Sequence, residues 1–239
     1  ASGEHGPGSR VQLNWLRNQR APGERASRSI ITRSAPCENG TRRSSTPIVA
    51  KSSDSAFISR SDPGFCLGYL AHSVLFVNNF FYNADDALRA RYLDKVLSGE
   101  WIGAMGMTEP CAGTDVLGMK TTATREGDFY ILNGTKRYIT NAAVADTFNV
   151  MARTNPDIKG ARGISSFIVE KGTPGIALGA IDKKMGQSGS LTCDVIFEDC
   201  AVPAENIIGE EGEGFITAMK VLDRGRLHIS GVSVGVAER

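Results

Sequence analysis

Two short polar motifs combine residue types that can hold a small planar molecule. The first, Met107 to Asp115, reads M-T-E-P-C-A-G-T-D, and the second, Tyr138 to Asn141, reads Y-I-T-N. Each motif places hydroxyl groups beside a glycine or an aromatic ring, at the end of an apolar, strand-like run. Hydroxyl groups can hydrogen-bond the polar edge of a ring, and a glycine lets the backbone approach it closely. The motifs therefore predict a site for a flat, polar-edged ring, such as a flavin, against a β-sheet.

Other common cofactor and metal motifs do not occur in the sequence. No G-x-G-x-x-G follows a strand and no P-loop is present, so neither a Rossmann nor a P-loop site is supported. The glycines at 209, 212 and 214 have a different order, and we interpret them as the start of the last helix. The three histidines are scattered, and the five cysteines show no C-x-x-C spacing. We expect no metal site and ordinary thiols in a reducing compartment.

The composition indicates a globular protein without a strongly charged partner. The chain has 41% hydrophobic residues and a net charge of +1, so we expect neither nucleic acid nor an anionic membrane as a partner. The longest apolar segment, Phe65 to Tyr82, is interrupted by His72, Ser73 and two asparagines. We therefore predict no membrane span in it.

The chain divides into four regions by composition and periodicity. Residues 1–59 are predicted to be a disordered or targeting-like arm, because they are rich in Arg, Ser, Gly and Pro. An Arg- and Ser-rich, acid-poor segment is typical of a mitochondrial transit peptide, and an extension without a structural role is the alternative. We assign residues 60–100 to a partial N-terminal helical domain, 101–211 to a middle β-domain, and 212–239 to the first helix of a C-terminal helical domain.

Turn signals divide the β-domain into short strands. Gly127 lies in a turn between two strand-like segments, and Asn133-Gly134 is a typical hairpin signal. Many short strands at intervals of about 10–20 residues predict a small antiparallel barrel. The sequence thus indicates an α+β fold, in which a central antiparallel β-barrel is flanked by helices.

The two polar motifs together resemble the acyl-CoA dehydrogenase family. Its central β-domain carries an M-T-E-P-x-A-G-[ST]-D turn and a W-I-T-N strand around FAD, and the resemblance covers about residues 62–239. The segment containing Ala71-His72-Ser73 and the Y-L-x-K-V-x-S-G-E run from Tyr92 are most similar to the isovaleryl-CoA dehydrogenase branch. The resemblance implies a partial version of the family fold, with most of the C-terminal four-helix bundle missing.

The resemblance also implies which residues hold FAD. Thr108 would bind the polar edge of the ring, Tyr138 replaces the usual Trp beside the ring, and Thr140 would lie near flavin N5. Read alone, Tyr138 to Thr140 is only a β-branched strand. The expected cofactor-binding residues are Met105, Met107, Thr108, Gly113, Thr114, Tyr138, Ile139 and Thr140.

The expected acyl-CoA contacts are Thr114, Arg162, Asp223 and Arg226, although Arg226 could equally form a structural ion pair. No residue can be assigned as the catalytic base. The resemblance argues against Glu109, because in the family this Glu is part of the turn. The isovaleryl-CoA dehydrogenase branch carries its base in an L-D-x-E-R motif, where this chain has Gly225.

The implied activity is FAD-dependent dehydrogenation of a short branched-chain acyl-CoA to the 2-enoyl-CoA. Two alternatives stay open: a catalytically inactive fragment that keeps part of the binding surface, and an acyl-CoA oxidase or monooxygenase of the same fold. The resemblance further implies electron-transferring flavoprotein as a partner, a homotetramer for a full-length chain, and the mitochondrial matrix as the location.

Overall fold

The computed structural model describes residues 52–239. Its N-terminal part is helical: α1 is Ser52–Ser59, α2 is Pro63–Leu70, α3 is Asn79–Asn83 and α4 is Asp86–Leu97. A π-helical segment, Ala71–Asn78, joins α2 to α3. Helix α4 has clear start and stop signals in its sequence. The Asp85 side chain caps α4 by accepting from the Leu88 N–H, and Gly99 takes a left-handed φ of 72° just after the helix.

Helix α1 differs from the sequence prediction, which placed its residues in a disordered or targeting-like arm. It packs against the last helix, α5, Gly214–Ala237. The contact is close: a Cβ on Gly235 would lie 2.1 Å from the Ala56 carbonyl oxygen. The Ser55 hydroxyl lies 3.0 Å from His228 Nδ1 across this interface. The rest of the predicted arm, residues 1–51, lies outside the described residues.

Seven strands form one sheet in the middle of the chain: β1 Gly103–Gly106, β2 Thr122–Glu126, β3 Phe129–Thr140, β4 Thr147–Arg153, β5 Ile164–Glu170, β6 Ile176–Leu178 and β7 Thr192–Pro203. Their order is β1-β4-β2-β3-β7-β6, with β5 beside β4. The sheet is mixed, because β1 and β4 are parallel. An antiparallel barrel was predicted from the sequence, and four of the six strand pairs are antiparallel. The parallel pairing of β1 and β2 with β4 was not predicted, because turn signals give the spacing of strands but not which strands pair.

Asn133-Gly134 is not a hairpin. Strand β3, which is twelve residues long, continues through it, and its register against β7 shifts between Leu132 and Gly134. The φ of Gly134 is 146°, and a Cβ there would lie 2.5 Å from Thr121 Oγ1. The glycine is therefore needed for an irregularity in the strand and for close packing, and the hairpin lies instead at Gly127.

His72 joins the helices to the sheet. Its buried imidazole accepts from the Gly103 N–H through Nδ1 at 2.9 Å, and Nε2 lies 3.0 Å from the Val96 carbonyl oxygen. The ring thus connects the π-helical segment with the end of α4 and the first residue of β1. This connection fixes the position at which β1 enters the sheet.

One helical stretch, Pro63–Asn83, is long and apolar enough to cross a membrane by length and composition. The sequence prediction of no such span did not anticipate this. However, 72% of the apolar window is buried inside the protein, and a buried core helix meets the same criterion. The stretch is therefore weak evidence for a membrane span.

Candidate functional site

One cavity brings the two polar motifs together with the helices. It has a volume of about 170 Å³. Its lining residues are Ala71, Leu75, Met105, Met107, Thr108, Tyr138, Ile139, Thr140 and Leu222. Six of the eight residues predicted to bind FAD are in this lining. They come from the end of β1 with the turn after it, and from the last residues of β3.

An irregularity in β3 directs Tyr138 to the surface at this cavity. The register between β3 and β7 shifts between Lys136 and Ile139, and Tyr138 takes a left-handed φ of 57°. Its side chain is 58% exposed, and the Arg137 guanidinium lies 5.0 Å from the ring centroid. A left-handed aromatic residue is strained, and such strain is concentrated at functional sites. The shift leaves a broad aromatic surface available beside the Thr140 hydroxyl.

The turn after β1 is held from the inside by Glu109. Its carboxylate lies 2.7 Å from Lys136 Nζ and accepts hydrogen bonds from the Lys120 and Thr121 N–H groups. Burial alone would raise the pKa of Glu109, but the Lys136 ammonium and these hydrogen bonds bring the pKa below its ordinary value. Glu109 is therefore ionised at neutral pH and fully engaged. This geometry agrees with treating Glu109 as part of the turn and not as a base.

The remaining predicted residues lie outside the lining of this cavity. Gly113 and Thr114 are exposed, and a Cβ on Gly113 would meet no heavy atom within 4 Å. Within the described residues, nothing therefore crowds the backbone at Gly113. Arg162 is exposed in the short turn before β5. Asp223 and Arg226 form an exposed ion pair with each other on α5.

Three lining residues were missed as site residues: Ala71 and Leu75 on the π-helical segment, and Leu222 on α5. In the sequence, Leu75 and Leu222 look like ordinary apolar positions of helices, as core residues also do. Gly225, one turn after Leu222, faces Leu75, and a Cβ there would lie 3.5 Å from Leu75 Cδ2. A π-helical segment is often found at functional sites, but its wide turn has no simple sequence pattern.

The lining suits a ring with apolar faces and a polar edge. Methionine, leucine and tyrosine side chains offer apolar contacts, while the Thr108 and Thr140 hydroxyls can pair with edge atoms. The volume is below the roughly 300–1,000 Å³ of a complete ligand site, so the cavity accommodates only part of such a molecule. Among the described residues, no carboxylate lines it, and residues 52–239 contain no cluster suited to a metal ion.

A second cavity, of about 350 Å³, lies beside Asp115, Arg153 and Lys159. It is the larger of the two, but one of its two positive groups, Arg153, is already occupied. The Arg153 guanidinium donates to the backbone carbonyls of Leu117, Met119 and Ile158. Since this arginine closes two loops onto each other, the cavity offers less chemistry than the one between the motifs.

The β-domain and its cavity match a known class of domain. Residues 104–200 match the profile of the family described as "Acyl-CoA dehydrogenase, middle domain". Residues 104–200 therefore form an acyl-CoA dehydrogenase middle domain. This confirms the resemblance inferred from the two motifs, and with it the partial α+β fold.

Individual relatives support the same assignment. The chain is 46% identical over 182 residues to a mitochondrial isovaleryl-CoA dehydrogenase of Pongo abelii, covering 76% of this chain and 43% of the relative. The structure of butyryl-CoA dehydrogenase from Megasphaera elsdenii is similar, with a TM-score of 0.75 and 40% identity over 77% of this chain and 48% of that one. A structure of PigA with FAD gives a TM-score of 0.74 and 33% identity, covering 79% and 50%. The chain spans about half the length of these relatives or less.

Proposed function

We propose that this chain forms part of a flavin-dependent acyl-CoA dehydrogenase that converts a short branched acyl-CoA to the 2-enoyl-CoA. The observation that supports the proposal best is the cavity in which both polar motifs meet apolar side chains of two helices. FAD is the cofactor that fits this lining, and PigA binds FAD on a similar fold. When bound, FAD supplies the hydride acceptor.

The protein's own residues would hold the reactants in place. Thr108 and Thr140 bind the polar edge of the ring, while Met107 and Tyr138 pack against it. Leu75 and Leu222 offer the apolar wall against which an acyl chain can lie. Thr114, Arg162, Asp223 and Arg226 remain candidate contacts for the rest of acyl-CoA; the mutual pairing of Asp223 and Arg226 supports a structural role for both. Fixing the reacting groups in this way supplies much of the rate gain in such reactions.

A catalytically inactive binding fragment is the second candidate for these 239 residues alone. It is favoured by the absence of a carboxylate from the described lining, and by glycine at position 225. Removal of the α-proton needs a base within about 3 Å of that carbon. We therefore expect no measurable dehydrogenation of isovaleryl-CoA by the chain alone.

The partners and location are parts of the same proposal. Electron-transferring flavoprotein would reoxidise the flavin, and the full-length protein would be a homotetramer. A mitochondrial relative supports the matrix as the location, while the similarity to a Megasphaera elsdenii enzyme shows that this fold is not restricted to mitochondria.

Titration of the purified chain with FAD, followed by flavin fluorescence, tests the proposal. We expect weak but saturable binding, because the cavity holds only part of the ligand. Thr108→Ala should weaken it by about 1–2 kcal/mol, the value of a lost hydrogen bond. Thr124→Ala is the matched control, since Thr124 is exposed on β2 outside the cavity.

Equal FAD affinities for the two threonine variants would contradict the assignment of Thr108. No binding by the unmodified chain, even at high FAD concentration, would contradict flavin binding by these residues. Turnover of isovaleryl-CoA by the unmodified chain would show that a base is present after all.

A further inference from the structure

A buried ion pair lies directly behind the cavity. The Lys136 side chain is fully buried and that of Glu109 is 5% exposed, and Nζ lies 2.7 Å from Oε1. Every other ion pair found in residues 52–239 has at least one side chain that is more than a third exposed. A buried pair loses much of its attraction to desolvation, and apolar side chains of similar volume often stabilise a protein as well or better. Core stability alone is therefore a poor explanation for these two charges.

The pair organises the backbone of the cavity wall. Lys136 Nζ also donates to the Met107 carbonyl oxygen at 3.3 Å. Glu109 accepts from the Lys120 N–H at 2.6 Å and the Thr121 N–H at 3.0 Å. These bonds hold the turn against β3 on one side and against the start of β2 on the other. Apolar replacements would leave three backbone groups without these partners.

The same strand carries the opposite wall of the cavity. The Arg137 N–H, next to Lys136, donates to the Thr108 carbonyl oxygen at 2.8 Å. Tyr138 and Thr140 follow within four residues of Lys136 and line the cavity facing Met107 and Thr108. A shift of Lys136 relative to Glu109 therefore changes the distance between the two walls. The ion pair is placed where it can set that distance.

We propose that Glu109 and Lys136 are positioning residues, which fix the Met107–Thr108 backbone and the β3 wall at the spacing that a flavin ring requires. This proposal rests on the proposed function for its ligand, FAD. Glu109 belongs to the first motif and Lys136 lies outside both motifs. Neither residue lines the cavity, so both would act on the ligand through the backbone that they hold in place. The alternative is a pair that contributes to stability and nothing else.

Two variants and a control separate these alternatives. Lys136→Met leaves a buried carboxylate unpaired, whereas the double variant Glu109→Gln with Lys136→Met removes both charges. Because the Lys120 and Thr121 N–H groups donate to different oxygens of Glu109, the single amide oxygen of Gln keeps an acceptor for one of them. Tyr92→Phe is the control: it removes the Tyr92 hydroxyl bond to Glu170, at 2.8 Å, and neither residue belongs to a motif or to the cavity lining. Urea unfolding, FAD titration and amide hydrogen exchange are measured for each.

We expect the double variant to recover stability relative to Lys136→Met but to keep a FAD affinity at least about tenfold below that of the unmodified chain. The visible absorption band of bound flavin should shift in the double variant, because the turn no longer holds the ring edge in the same way. Exchange of the Arg137 N–H should accelerate at least about tenfold, since its acceptor on Thr108 is no longer fixed. Tyr92→Phe should lose stability while keeping FAD affinity and Arg137 exchange unchanged.

The positioning role is overturned if the folded double variant binds FAD as tightly as the unmodified chain, or if its Arg137 N–H exchanges at the original rate. It is also overturned if Tyr92→Phe loses FAD affinity to the same extent, because affinity would then follow stability. If the unmodified chain binds no FAD, the proposed function fails instead. In that case the hydrogen-exchange rate of the Arg137 N–H still shows whether the Glu109–Lys136 ion pair holds the two cavity walls together. Should Lys136→Met fail to fold, the double variant carries the test.

Discussion

His72 should give this protein a pH dependence of stability that can be assigned to one residue. Nδ1 of its fully buried ring accepts a hydrogen bond from the Gly103 N–H, so the fold holds the neutral imidazole with its proton on Nε2. Burial lowers the pKa of His72 from 6.5 to about 4, and the bond to the Val96 carbonyl opposes this shift only in part. Protonation would place an unpaired charge in the core and break the bond to Gly103.

The direction and size of the effect follow from these pKa values. The folded pKa lies below the unfolded one, so the unfolded chain binds the proton first as the pH falls. The contribution of His72 to stability is fully present above about pH 6.5 and is lost as the pH falls towards 4. At 1.36 kcal/mol per pH unit, the difference between 6.5 and about 4 corresponds to about 3 kcal/mol of unfolding free energy.

Urea unfolding between about pH 7 and pH 4.5 measures this loss, and His72→Asn removes the titrating group. The Asn side-chain oxygen can still accept from Gly103, so we expect a variant that is less stable at neutral pH but has a much flatter pH profile. His228→Asn is the matched control, because burial also lowers the pKa of His228 but the Asp54 carboxylate opposes the shift. If His72→Asn kept the steep profile, the loss would belong to other groups, such as Glu109, and the reasoning would be refuted.

Two further predictions concern glycines and use urea unfolding. Gly134→Ala should cost about 2–3 kcal/mol, because a Cβ would lie 2.5 Å from Thr121 Oγ1 at a φ of 146°, whereas Gly127→Ala meets no atom within 4 Å and should cost about 1 kcal/mol. Equal losses would show that the close packing at Thr121 is wrong. Gly225→Ala should stabilise α5 by about 0.5–1 kcal/mol, because the new methyl group makes only ordinary contact with Leu75. A loss of stability would show that α5 and the π-helical segment lie closer together than described.

Local signals in the sequence located the motif residues well. Met107, Thr108, Tyr138 and Thr140 were expected at one site and line one cavity. The Arg137 N–H, next to the second motif, donates to the Thr108 carbonyl oxygen in the first motif. The resemblance to a family predicted that the two motifs form one site, which the spacing of their residues alone could not predict. Gly127 likewise was recognised from its local sequence, since a tight turn depends on few residues.

Features that depend on distant partners were not predictable in this way. The Asn133-Gly134 signal was misleading because the glycine is needed for close packing against Thr121, which immediately precedes the neighbouring strand β2. The parallel pairing of β1 with β4 depends on long-range contacts that no turn signal encodes. The burial of Lys136 was not predictable from its own position, because a lysine in a strand is normally exposed. It follows from the ion pair with Glu109, whose buried carboxylate needs a positive partner.

A dehydrogenase must both hold the flavin ring and remove a proton from its substrate, and the described cavity is suited only to the first of these. Its lining can hold a ring, because both motifs supply polar edges and apolar faces, but it contains no described carboxylate that could remove a proton. A side chain at position 225 would extend towards Leu75, an apolar residue of the cavity lining. A carboxylate in such surroundings has a raised pKa, which brings it closer to neutrality and makes it a better base. Because position 225 is a glycine, no carboxylate extends from this wall, and in the proposed reaction the base would be a residue outside the described lining.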